Sequence, residues 1–148
     1  MSKKIIDEIP GVIRIYNDGS IERPLNIWNT PVSASEAFVN GVATNDLEIN
    51  PHTGIWARIY FSETSPDRSQ VGKYPILLHF HGGGFCAGSA DKRYSYLILS
   101  QLLKQCRVMC VSVNYRLAPE HRLPAACEDA MESVVWLHRL ARRDCDDP

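Results

Sequence analysis

The densest chemistry in this chain is His81-Gly82-Gly83-Gly84-Phe85, directly after the apolar stretch Ile76 to Phe80. Consecutive glycines adopt backbone conformations closed to other residues and let main chain approach a ligand closely. Their unpaired N–H groups can converge on an anion. In acyl transfer that anion is the tetrahedral oxyanion, and donors held in place beforehand stabilise it. Removing one such donor costs about 10²–10³ in turnover in well-studied cases. The bland alternative is a flexible glycine turn between a strand and a helix.

Other reactive side chains carry less. Cys86 beside the glycines would need a base within about 3 Å and an oriented partner before it acted as a nucleophile with His81. We read it as a small packed residue. His79-x-His81 puts two imidazoles on one strand face if the strand extends that far. A zinc site needs further ligands. Cys106-x3-Cys110 bridges a helix end and a strand start, a poor metal spacing, so no metal is expected. His121 and His138 read as surface or hydrogen-bonded histidines, and Trp136 as core. Arg116 and Glu120 read as structural, fixing a loop through charge-assisted hydrogen bonds.

The elements that must hold these residues change rhythm along the chain. Val12 to Tyr16 reads as a strand, Asn17-Asp-Gly-Ser20 as a tight turn, and Ile21 to Arg23 as the return. Leu47 to Ile49 and Ile55 to Phe61 form a second hairpin across Asn50-Pro-His-Thr-Gly54. In its second strand Ile55, Ala57, Ile59 and Phe61 alternate with Trp56, Arg58 and Tyr60, which predicts one apolar face. The polar stretch Ser62 to Gly72 reads as a loop. Beyond it, Pro75 to Phe80 and Val108 to Val113 suit strands buried in a parallel sheet. Between them Arg93 to Gln105 reads as a helix with Tyr94, Ile98 and Leu102 along one stripe and Leu99 and Leu103 beside it. Pro124 opens another helix. Ala125 to Ala141 carries Ala126, Ala130, Val134 and Leu137 in line. Its acids Glu128 and Asp129 and its bases Arg139, Arg142 and Arg143 sit at the ends the helix dipole favours. Strand, helix, strand, helix argues an α/β architecture. Two such strands leave a poorly covered sheet edge.

The chain has 148 residues and a net charge of -1 from 16 basic and 17 acidic side chains, without the footprint of a general nucleic-acid binder. No apolar run is long enough to span a membrane. The N-terminus has two lysines but no continuous apolar core, so no secretory signal is expected. Five cysteines without a signal then read as reduced thiols of a cytoplasmic protein.

Asn114-Tyr-Arg-Leu-Ala-Pro-Glu-His-Arg-Leu-Pro-Ala-Ala-Cys-Glu-Asp-Ala130 follows the second buried strand. With HGGGF and Gly88-Ser89 it resembles the hormone-sensitive-lipase-like group of α/β-hydrolases, and within that group the plant carboxylesterases. Ile13 to Arg23 is similar to the N-terminal cap hairpin there, and Asp46 to Phe61 to the first sheet strands. The resemblance implies an incomplete α/β-hydrolase fold: N-terminal β-hairpins and a cap segment, then β-α-β-α of a mostly parallel sheet. Residues 1–45 would be cap-like and residues 46–148 the first half of the hydrolase domain. It also implies that Gly83 and Gly84 supply oxyanion donors while His81 and Gly82 shape the turn. The family needs no metal or organic cofactor. Its members are longer, and their serine lies in a Gly-x-Ser-x-Gly elbow just past the point where this chain stops. No such pattern occurs in these 148 residues. The triad's acid and histidine follow the serine in chain order, and a further oxyanion donor is the N–H after that serine. No nucleophile or triad member is assigned here.

Three readings follow. The first is a carboxylic ester hydrolase of small-molecule esters, by the serine mechanism, inactive as this short chain. The second is a receptor-like binding protein, since gibberellin receptors resemble the same family. Those receptors replace the third glycine by serine, whereas Gly84 is intact here. The third is a regulatory or non-functional fragment that pairs with a longer relative through its open edge. Substrate choice would rest on parts of the pocket that are missing.

Overall fold

The structure, a computed structural model, describes residues 2–24, 30–63 and 75–143. Most of the polar Ser62 to Gly72 stretch, and the chain end from residue 144, lie outside the described residues.

The N-terminal sheet has three antiparallel strands in sequence order: β1 (Ile5–Ile9), β2 (Ile13–Tyr16) and β3 (Ile21–Glu22). The predicted Asn17–Ser20 turn joins β2 to β3. The Asp18 carboxylate accepts from the Ser20 N–H at 2.9 Å, and Gly19 takes φ +80°. β1 is an addition to the pattern-based reading. All five of its residues are exposed, so no inside–outside alternation marked it in the sequence.

The main sheet has the order β4-β5-β7-β6, from β4 (Val42–Asn50), β5 (Ile55–Ser62), β6 (Ile76–Phe80) and β7 (Met109–Asn114). β4 begins at Val42 rather than Leu47. The sheet is mixed: β6 and β7 pair parallel, as the alternation of elements predicts, while β4–β5 and β5–β7 are antiparallel. The second hairpin therefore shares the sheet of the parallel strands.

This topology corrects the reading of β5 as apolar on one face only. β5 is a central strand, and successive side chains point to opposite faces. Ala57 and Ile59 pack with Val111, Trp136 and Leu137. Tyr60 packs on the other side with Leu99, Leu103, Val42 and Cys110. Helix α1 (Arg93–Gln105) thus covers one face and α2 (Ala125–Arg143) the other. Burying each of Tyr60, Leu99 and Leu103 contributes about 1.5–3 kcal/mol. Arg58, only 2% exposed, also lies on the Tyr60 side. It is matched in register with Asp46, whose carboxylate accepts from its Nε and Nη2 at 2.6 and 2.7 Å.

Helix α1 presents a different row from the predicted one, and α2 keeps part of its predicted row, with Ala126 buried and Leu137 packed on the sheet. In α1 the sheet takes Leu99 and Leu103, with Ser95 and Ser100, and leaves Tyr94, Ile98 and Leu102 exposed. In α2 Ala126, Asp129 and Ser133 are buried and Val134 is exposed. The buried row of α2 includes the polar Asp129 and Ser133, whereas α1 carries two adjacent apolar rows. Periodicity alone cannot say which one the sheet selects.

Candidate functional site

β6 and β7 run parallel in register, with Phe80 opposite Val113, so both chains leave the sheet at the same level. The segments beyond them meet at once. The His81 and Tyr115 rings stack with centroids 4.2 Å apart, and the Tyr115 hydroxyl donates to the His81 carbonyl at 2.6 Å. His81 is buried, and its Nδ1 lies 2.9 Å from the Gly82 carbonyl. A carbonyl only accepts, so Nδ1 carries the proton and Nε2 of the neutral ring is bare. Nε2 is buried and has no hydrogen-bond partner among the described residues. Burial holds the His81 pKa below the usual histidine range.

The glycine run then turns sharply. Gly83 has φ +131°, and a Cβ there would stand 2.0 Å from the Ala87 carbonyl oxygen, so only glycine fits. Its own carbonyl accepts the N–H groups of Cys86 and Ala87 at 3.1 and 3.0 Å. Gly84 and Phe85 follow with φ of +60° each. The Phe85 carbonyl accepts the Ala118 N–H at 2.8 Å, which ties this loop to the segment after β7. Among the described residues the Gly83 and Gly84 amides donate to no protein acceptor. The run from His81 to Phe85 borders a cavity of about 320 Å³, whose other wall is Ala126, Cys127 and Ala130 of α2. An anionic oxygen in that cavity would find main-chain donors and apolar walls.

The segment after β7 is held by charged pairs. Asp129, fully buried, accepts the Arg116 backbone N–H at 2.8 Å and its Nη2 at 2.6 Å. The hydrogen bond from Arg116 is thus to a helix residue and not to Glu120. Glu120 instead accepts Arg23 Nη1 and Nη2 at 2.7 and 2.6 Å. Arg23 also donates from Nε to the Cys86 carbonyl at 2.7 Å and from Nη2 to the Ala118 carbonyl at 2.9 Å. Its hydrogen bonds hold the Glu120 carboxylate below the usual range.

Among the predicted residues, His81, Gly82, Gly83 and Gly84 line one cavity together. Cys86 does not join them as a nucleophile. Its thiol points to the Gly83 carbonyl at 3.4 Å, and His81 Nδ1 is committed to the Gly82 carbonyl. β6 ends at Phe80, and His79 turns to the Ser112 hydroxyl at 2.9 Å. Among the described residues no three His, Cys, Asp or Glu side chains gather as a metal site would require. His121 and His138 are exposed, and Trp136 packs from α2 onto the sheet. Sequence reasoning passed over Arg23, Tyr115 and the pairing of Asp129. Arg23 stands in Ile-Glu-Arg-Pro with no local mark. Asp129 left a signal, a carboxylate on the same helix row as the core residues Ala126 and Ser133.

Residues 77–147 match a family model described as alpha/beta hydrolase fold. Over 140 residues, 95% of this chain and 40% of the relative, the sequence is 41% identical to "Probable carboxylesterase 6" of Arabidopsis thaliana. It is 38% identical to a 2-hydroxyisoflavanone dehydratase of Glycyrrhiza echinata, over 92% of this chain and 40% of that protein. The crystal structure of esterase LipW from Mycobacterium marinum superposes with a TM-score of 0.55 at 35% identity, covering 70% of this chain and 31% of that one. The chain spans about two fifths of the length of the curated relatives it matches. No helix among the described residues is long and apolar enough to cross a membrane.

Proposed function

We propose that this chain, which is similar to plant carboxylesterases and matches an α/β-hydrolase family model over residues 77–147, supplies the oxyanion-binding side of an ester-hydrolysing site. The observation that carries the reading is the pair of unengaged Gly83 and Gly84 amides on the cavity wall. A substrate carbonyl seated there gains negative charge when a nucleophile adds. Two main-chain donors held in place beforehand stabilise that charge without reorganising. His81 and Gly82 shape the turn. The segment to Asn45 contributes to a cap over the cavity. The substrate is a small-molecule ester, the setting is cytoplasmic, and no metal or organic cofactor takes part. The serine, acid and histidine of such a site are not among these 148 residues, which contain no Gly-x-Ser-x-Gly. By itself the chain does not turn over.

The test is a chimera in which this chain replaces the matched region of a full-length plant relative that hydrolyses p-nitrophenyl butyrate. The chimera should hydrolyse the ester, and Gly83→Ala, which keeps the N–H but must shift the turn to clear the Ala87 carbonyl, should lower its kcat about 10²-fold. Residues 1–148 alone should stay at the catalyst-free rate. Sustained turnover by the short chain, blocked by a serine-reactive phosphonate, overturns the account.

A second reading has its own support, since a relative of nearly equal identity is named a dehydratase. The same amides would then hold a ketone oxygen while water is eliminated. A chimera that dehydrates a 2-hydroxyisoflavanone and ignores esters decides for it.

A further inference from the structure

We propose that Arg23 is a positioning residue for the glycine loop, locking it to the segment after β7 from the N-terminal sheet. The inference rests on the ester-hydrolase reading only for its catalytic meaning. The lock itself is a matter of geometry.

Arg23 follows β3 directly and so belongs to the N-terminal segment. Its guanidinium makes four hydrogen bonds to two loops that leave different strands. The bidentate pair with Glu120 fixes the plane of the fork. With that plane set, Nε points at the Cys86 carbonyl and Nη2 at the Ala118 carbonyl. Cys86 is the residue whose N–H closes the turn on the Gly83 carbonyl, so the arginine grips that turn from its other side. Ala118 is the residue whose N–H holds Phe85. The four groups therefore close a ring: Cys86 carbonyl, Arg23, Ala118, Phe85 carbonyl.

The ring surrounds the stretch that carries the candidate oxyanion donors but touches neither of their amides. Arg23 thus acts through Cys86 and Ala118. An ammonium in its place would keep the charge but not the planar fork that reaches a carboxylate and two carbonyls together. The Arg23 side chain is 27% exposed, which removes part of the solvent screening that makes open surface pairs weak. The N-terminal segment is also tied nearby, because the Val32 N–H donates to Asp91 and the Arg93 N–H to Thr30. Displacing that segment would pull on the glycine loop.

The test is amide hydrogen exchange on the full 148-residue chain, followed by NMR. The reporters are the protected N–H groups of Cys86, Ala87 and Ala118; the controls are the amides of β5 and β7. Arg23→Ala should speed the reporters about tenfold or more and leave the controls within about twofold, the signature of a local opening. Arg23→Lys should behave like Arg23→Ala. Glu120→Gln keeps both carbonyl bonds and should give a smaller rise at the same reporters. If Arg23→Ala does not fold, Glu120→Gln decides alone, and a flat reporter response overturns the proposal. It is also overturned by equal acceleration of reporters and controls, by no acceleration, or by full protection in Arg23→Lys. None of these readouts requires hydrolysis. A chimera that fails on esters while the reporters respond sinks the ester reading and leaves the lock standing.

Discussion

The three glycines after His81 should respond very differently to the same added methyl group. At Gly83 the new Cβ would lie 2.0 Å from the Ala87 carbonyl oxygen and 2.6 Å from its carbon, both main-chain atoms that cannot swing aside. The φ of +131° is also foreign to an L side chain. A conformation of that kind costs about 1–3 kcal/mol. Relieving the clash means giving up the Cys86 and Ala87 bonds to the Gly83 carbonyl, each about 0.5–1.5 kcal/mol net. Gly83→Ala should therefore destabilise by about 2–6 kcal/mol, the sum of these costs. At Gly84 the Cβ would meet only the Cys86 thiol, 4.0 Å away, so what remains is the left-handed φ of +60°. That costs about 1–2 kcal/mol. At Gly82 nothing lies within 4 Å and φ is ordinary, so Gly82→Ala should fall within about 0.5 kcal/mol of the parent. Urea unfolding of the three variants, followed by tryptophan fluorescence, measures the order. Equal midpoints for Gly82→Ala and Gly83→Ala would refute the reasoning, because, of these two sites, the left-handed φ and the clash with Ala87 are both confined to Gly83.

Asp129→Ala removes the buried acceptor of the Arg116 backbone and guanidinium, and should cost about 3 kcal/mol by denaturant titration. Burial depresses the pKa of His81, and of His79 as well. The unfolded chain therefore takes up the proton first as pH falls, and stability present above about pH 6.5 should be lost below it. His81→Asn should flatten the slope of melting temperature between about pH 7 and pH 5; an unchanged slope would assign the effect elsewhere. The Cys110 thiol is fully buried and pushed up to about 12 by burial, whereas Cys127 is exposed on the cavity wall. Peptide mapping after iodoacetamide at pH 8 should find Cys127 modified in the folded chain and Cys110 only after unfolding.

The sequence by itself determined what depends on near neighbours along the chain. The glycine run, the Asp18-Gly19 turn, the bounds of α1 and the positions of the strands on either side of it are written in local propensity and punctuation, but β6, read as buried, is an edge strand with no buried residue. The HGGGF and NYRLAPEH segments also carried the resemblance to the α/β-hydrolases, since they are contiguous strings. The tertiary structure decided what depends on which surfaces meet. Leu99 rather than Ile98 faces the sheet because α1 offers two apolar rows and only packing against Tyr60 and Cys110 chooses between them. β5 is covered on both faces because β4 and β7 flank it and a helix lies on either side, a placement no alternation within eight residues expresses. Arg116 finds Asp129 across 13 residues, and Arg23 reaches Glu120 across 97. A charged side chain carries no record of so distant a partner. Its role appears only when folding removes water from around it and brings a carboxylate within reach.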